Sequence, residues 1–240
     1  MTVRKFNVIK LLDEHGDVMN AVVLSVHANV LIAVPIVEAA KSGFTRDIVY
    51  FDQRIQKQMF SERLKFDYSK IRSFDLSRVV TILGRIKYEY MENLLKEIGK
   101  YLYSQCFHDN VGDIVVYNFS HLSMGSEIMK ERFGILIGES KGAYMILPIS
   151  SRLYDGIPFH EAILPVDTED CNIPISGSVY AEQVRINQKG FVVVGRVKDK
   201  ARYILLLYRM IVGKSVIHVS GQEMTGDNIS LEAVGKALDE

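Results

Sequence analysis

The stretch DQRIQKQMFSERLKFDYSKIR, residues 52 to 72, is made of residue types that could do chemistry on a nucleic acid. It holds six basic and three acidic residues, with Phe60, Phe66 and Tyr68 set between them. Basic groups hold phosphates and aromatic rings stack on exposed bases. Arg54, Lys57, Lys65 and Tyr68 are therefore candidate contacts to a single strand. A solvated surface loop can have the same composition, so the strip alone does not decide. The formal net charge of the chain is +0, so no global field draws it towards nucleic acid, and any such site must be a local patch.

Other chemistries find little support. Cys106 and Cys171 lie in no CxxC pair, and no HExxH or similar spacing is present, so neither a metal site nor a cofactor is indicated. Two cysteines in a chain of this size suit a reducing compartment and a cytoplasmic protein. His160 and Glu161 are sequence neighbours whose side chains do not face the same way. Gly213-Lys214-Ser215 ends like a phosphate-binding loop, but the position where that motif needs its first glycine is Tyr208.

The elements that must position any site are written twice. KIRSFDLSRVVTILGRI (residues 70 to 86) returns as QVRINQKGFVVVGRV (residues 183 to 197). Arg72 and Arg185 are 113 residues apart, as are Pro35-Ile36 and Pro148-Ile149, while Gly84-Arg85 and Gly195-Arg196 are 111 apart. Each copy reads as a buried strand ending in Pro-Ile, with the proline at an edge or end. A strand with an x-[IV]-R step, a polar turn (FDLS or NQKG) and an apolar run ending in Gly-Arg follow. Helical spacing comes next, over residues 87 to 105 and again over 198 to 213, the second apolar on more faces and closed by Gly213. The apolar run at residues 21 to 37 is broken by Ser25, His27, Asn29 and Pro35, so two strands joined by a tight turn explain it better than a membrane span. The N-terminus lacks the apolar core and cleavage site of a signal peptide. A short terminal helix is expected in the tail, capped by Asp227, Asn228 or Ser230. With 240 residues, 48% hydrophobic, this predicts two domains, 1–108 and 109–240, of mainly β structure with α.

The order GDIVVYNF, GSE, ERFGILIG, YMILPISSR, EQVR, GRV over residues 111 to 212 resembles the MazF/PemK family of RNA-cleaving toxins from toxin-antitoxin pairs. Arg132 stands where the family has the arginine of an Arg-Pro pair, with Phe133 in place of the proline. Ser150 stands for a threonine, Ser126-Glu127 lies in the loop after the first strand, and Gln183 lies in the Glu-Gln-Ile-Arg strand. The resemblance implies a small SH3-like β-barrel followed by a helix. It also implies metal-independent cleavage of single-stranded RNA by its own 2′-hydroxyl, in a groove between two protomers that an antitoxin can cover. Arg132 and Ser150 would be catalytic, and Ser126, Glu127 and Gln183 would contact RNA. An arginine fork suits the charge that grows on the phosphate, and a hydroxyl can donate to a phosphate oxygen.

At the same offset Arg132 falls on Met19 and Ser150 on Val37, so the first copy resembles the fold and lacks the chemistry. The sequence therefore reads as a fused pseudo-dimer with one competent half, its repeated Arg72, Arg185, Arg85 and Arg196 more structural than catalytic. Two functions fit: a sequence-selective toxin-type endoribonuclease, or a catalytically inactive regulatory module that binds RNA or protein.

Overall fold

A computed structural model describes residues 2–38, 64–118, 131–150, 163–187 and 190–236. The chain is mainly β, with antiparallel sheets and few helices. Strands β1 (Asn7–Leu12), β2 (Val18–His27), β3 (Val30–Glu38), β4 (Leu64–Phe66), β5 (Arg72–Asp75) and β6 (Val79–Arg85) form one sheet in the order β4-β3-β2-β1-β6, with β5 also on β3. The second sheet has β7 (Asp113–Asn118), β8 (Glu131–Ser140), β9 (Ala143–Ser150), β10 (Ile163–Val166), β11 (Gly177–Tyr180), β12 (Arg185–Asn187) and β13 (Val192–Arg196). Its order is β10-β11-β9-β8-β7-β13, with β12 also on β9. Helix α1 (Tyr88–Gln105) follows the first sheet and helix α2 (Lys200–Val212) the second. A hairpin of β14 (Ile217–Val219) and β15 (Gln222–Met224) and helix α3 (Leu231–Lys236) complete the described chain.

The two sheets share their register. Ala21 pairs with Pro35 and Gly134 with Pro148, and each ladder slips once further along, between Val23 and Ser25 and between Leu136 and Gly138. The apolar run at residues 21–37 lies in β2 and β3, turned by Ala28 at a φ of 48. Among the described residues no helix is long and apolar enough to cross a membrane.

The prolines differ from expectation in an informative way. Pro35 lies inside β3, which continues to Glu38 and is flanked on both sides. On one side β5 covers Val30 to Ala33 and β4 covers Ile36 to Glu38, so Pro35 falls where the partner changes. Its carbonyl accepts from Asp67 N at 3.0 Å on that side. A strand residue points its N–H and C=O the same way, so the missing N–H falls in a gap that asks for no donor. Pro148 repeats this between the β12 pairing, which ends at Ile146, and the β11 pairing, which begins at Ile149.

Alternate strand residues face two cores. Val8, Val22, Ile114 and Ile135 join α1 and α2 in one cluster drawn from both halves. Their neighbours Ile9 and Val23 form a cluster of the first sheet, and Val115 and Leu136 one of the second. The helices meet where Tyr208 Oη donates to the Leu95 carbonyl at 3.0 Å. Ten apolar side chains of about 1.5–3 kcal/mol each would outweigh any single polar contact here, so packing is the main cement.

Candidate functional site

Arg132 and Ser150 sit on neighbouring strands. The β8/β9 ladder pairs Gly134 with Pro148, and two residues further along each strand the same register sets Arg132 opposite Ser150. The Arg132 Nη1 donates to Ser150 Oγ at 3.5 Å, a long bond. It is the one side-chain hydrogen bond of Arg132 among the described residues, and its buried Nε has no hydrogen-bond partner. A half-buried guanidinium whose buried Nε lacks a partner is an uncommon arrangement, because buried polar groups are normally satisfied.

Two flanking groups come from residues the sequence did not mark. Tyr117 on β7 pairs with Arg132 on the far side of β8. Burial, and then the charge of Glu14, push its hydroxyl above the usual tyrosine range. Ser178 on β11 pairs with Ser150, which adds a second buried hydroxyl-bearing residue. The close approach requires Gly177, since a Cβ there would lie 2.5 Å from the Ser150 carbonyl oxygen. Both partners could have been found by extending the strand register outward from Pro148. Glu14 could not, because it arrives from the loop between β1 and β2.

The remaining sequence candidates divide. Arg54, Lys57, Ser126 and Glu127 lie outside the described residues. Lys65 is on β4 opposite Val37, the counterpart of Ser150 in the first sheet. Tyr68 packs between Phe66 and Tyr101 at ring-centroid distances of 6.1 and 6.2 Å, so its ring is engaged by neighbours. Gln183 is buried, and its Oε1 accepts from Arg185 Nη2 at 3.1 Å. Arg196 binds Asp113 at 2.9 Å, while Arg85 is exposed. Among the described residues no three His, Cys, Asp or Glu side chains gather as a metal would need.

No family model matches the sequence, and no curated protein matches it. Among solved structures the chain is similar to MazF of Deinococcus radiodurans (Form-I crystal structure), at 20% identity and a TM-score of 0.32. That match covers 44% of this chain and 93% of that one.

Proposed function

We propose that the chain is a toxin-type endoribonuclease that cleaves single-stranded RNA sequence-selectively and without a metal. In this reading residues 1–108 and 109–240 are tandem MazF/PemK-like domains, each an SH3-like barrel followed by a helix, fused as a pseudo-dimer with a degenerate first copy. Its partners are RNA and an antitoxin protein, in the cytoplasm. The observation that carries the reading is the Arg132 guanidinium, held at Ser150 Oγ with its Nε buried and unsatisfied.

In the reaction the RNA 2′-oxygen attacks the adjacent phosphorus and loses its proton. A 2′-oxygen to phosphorus bond forms, and the bond from phosphorus to the 5′-oxygen breaks. The leaving oxygen takes a proton, giving a cyclic phosphate and a 5′-hydroxyl. Arg132 donates to the non-bridging oxygens as their charge grows, and Ser150 adds a hydroxyl donor. Met19 and Val37 at the matching places give the first half no such pair, which leaves it as groove wall.

The test is a long single-stranded RNA incubated with the purified protein in EDTA, beside Arg132→Ala, with the new ends mapped. Discrete cuts with 5′-hydroxyl ends, absent in the variant, are the expected result. RNA left intact by both proteins would instead favour the inactive binding module.

A further inference from the structure

We propose that the outer edge of β13 is a self-association surface, on which a second copy of this chain pairs its own β13 antiparallel about Val192. β13 ends the second sheet, with β7 on its inner side. On the outer side the chain's own Asn172 takes the far end. Asn172 N donates to the Arg196 carbonyl at 3.1 Å, Asn172 Oδ1 accepts from Arg196 N at 2.6 Å, and Cys171 bridges Val197. A Cβ at Gly195 would lie 2.6 Å from Ile173 Cγ2, so that end is closed. No strand covers Gly190 to Val194 on this side among the described residues. The direction of their backbone groups follows from Arg196, which turns both of its own outward to Asn172. The next rung, Gly195 with Ile114, is therefore a hydrogen-bonded one, and so is Val192 with Val116 two residues along β7. Phe191 and Val193, on either side of Val192, present their N–H and C=O to the open edge.

The side chains beside this edge are apolar where the fold does not require it. Val116 pairs with Val192 on one side and with Phe133 on the other, and this row lies on the sheet face of Ile114 and Ile135. Val192 is 64% exposed and Phe133 40%. The first sheet has the same rungs, one step along from Ile9 and Ala21. There Lys10 pairs with Thr81 on one side and Asn20 on the other. The fold accepts a polar row at this place, and the second half sets an apolar one in it. Clustered exposed apolar groups mark contact sites. Open edges are normally guarded by a lysine, another charge or a proline, but residues 190 to 194 read GFVVV and hold none of these.

The strip is complementary to itself. Five open residues paired antiparallel with the same five centre on Val192. Phe191 then exchanges hydrogen bonds with the partner's Val193, and Val193 with the partner's Phe191. Val192 meets the partner's Val192 across the non-hydrogen-bonded rung, where side chains come closest. The row Phe133–Val116–Val192 runs on into the same row of the second copy, so one apolar band crosses the two-fold axis and its open end is covered. Charge does not oppose the pairing, because the strip carries none and the chain's formal net charge is +0. The paired stretch is short, so the dimer is a weak, reversible one. Phe133 and Arg132 are consecutive on β8 and face opposite sides of the sheet. The proposal therefore stands apart from the nuclease reading.

The experiment is sedimentation equilibrium of the full chain from about 1 µM to about 1 mM, where a reversible monomer–dimer equilibrium is expected. Val192→Lys and Val192→Glu each set two like charges opposite one another at the axis, and each should weaken the dimer about tenfold or more. Mixing the two variants should restore association, because lysine then meets glutamate. Val192 is mostly exposed, so both variants should unfold at the wild-type temperature, which separates lost pairing from lost folding. A wild type that stays monomeric over the whole range overturns the proposal and leaves the strip to a segment of another protein. A dimer that both variants keep, or that their mixture does not restore, overturns the pairing about Val192.

Discussion

Arg72 and Arg185 hold one position of a repeated ladder. Arg72 pairs with Ala33 across β5 and β3, and Arg185 pairs with Ile146 across β12 and β9. Both the arginines (185 − 72 = 113) and their partners (146 − 33 = 113) keep the same spacing. Their employment differs. Arg72 is tied to Glu14, within its own half, whereas Arg185 reaches the Ser73 carbonyl of the other half. The seam is therefore asymmetric, although the strands that build it match.

That seam is reinforced by the core beneath it, and this makes the halves interdependent. Leu94, Ile98 and Leu102 of α1 share one buried cluster with Leu207 and Ile211 of α2. Residues 1–108 expressed alone would expose that stripe of α1 to water. The expected outcome is a fragment with poorly dispersed amide NMR signals that gains dispersion when residues 109–240 are added. Well-dispersed signals from the isolated fragment would show that the shared cluster is not needed for folding.

The hydroxyl at position 150 separates chemistry from packing. Ser150 is buried beside Ser178 and accepts from Arg132. On the proposed nuclease reading Ser150→Ala removes a donor at the growing charge and should slow single-turnover cleavage about 100- to 1000-fold. Ser150→Thr keeps the hydroxyl and should lose about tenfold at most, the added methyl being the only cost. Equal losses in both variants would mean that position 150 matters for fit and not for its oxygen.

Much of the scaffold is legible in the sequence because repeated physics leaves repeated letters. Helical spacing over residues 87 to 105 matches α1 at Tyr88–Gln105, and Gly213 closes α2. Ser230 Oγ accepts from Ala233 N at 3.3 Å in the tail helix. The candidate pair at 132 and 150 is within reach of strand counting. Glu14 is not, because a residue of the β1–β2 loop whose charge acts on Tyr117 of the other sheet has no periodic relation to that strand. Arg78 reads as an ordinary turn residue in FDLSRV until its burial is known. The prolines were readable as strand residues, but not as marks of a change of partner.

Gly99 and Tyr208 give a packing test. A Cβ at Gly99 would lie 2.4 Å from Tyr208 Oη and 2.6 Å from Val234 Cγ1. Gly99→Ala gains up to about 1 kcal/mol in helix propensity, but overpacking costs about 1–3 kcal/mol, so the expected net result in urea unfolding is a loss. Tyr208→Phe alone removes the bond to the Leu95 carbonyl and should cost about 1 kcal/mol. The double variant should cost less than the sum, since the hydroxyl is one of the atoms in the way. Strict additivity would show that the crowding is relieved elsewhere.

Lys5 gives the pH dependence. Its Nζ donates to the Val212 carbonyl at 2.7 Å and to Ser215 Oγ at 2.8 Å, closing the C-terminal end of α2. Burial lowers its pKa to about 7. The neutral amine keeps enough hydrogens for both bonds, so deprotonation in the fold removes the burial penalty without breaking the contact. Between pH about 7 and about 10.4 the unfolded chain holds a proton that the folded chain has released, so this residue's contribution to stability rises with pH across that window. Below about 7 both states are protonated and its contribution is flat. Denaturant unfolding of the wild type and Lys5→Met at several pH values should show the difference between them moving towards the wild type from pH 7 to pH 10. A constant difference would mean that Lys5 keeps an ordinary affinity for its proton, and that the helix end compensates its burial.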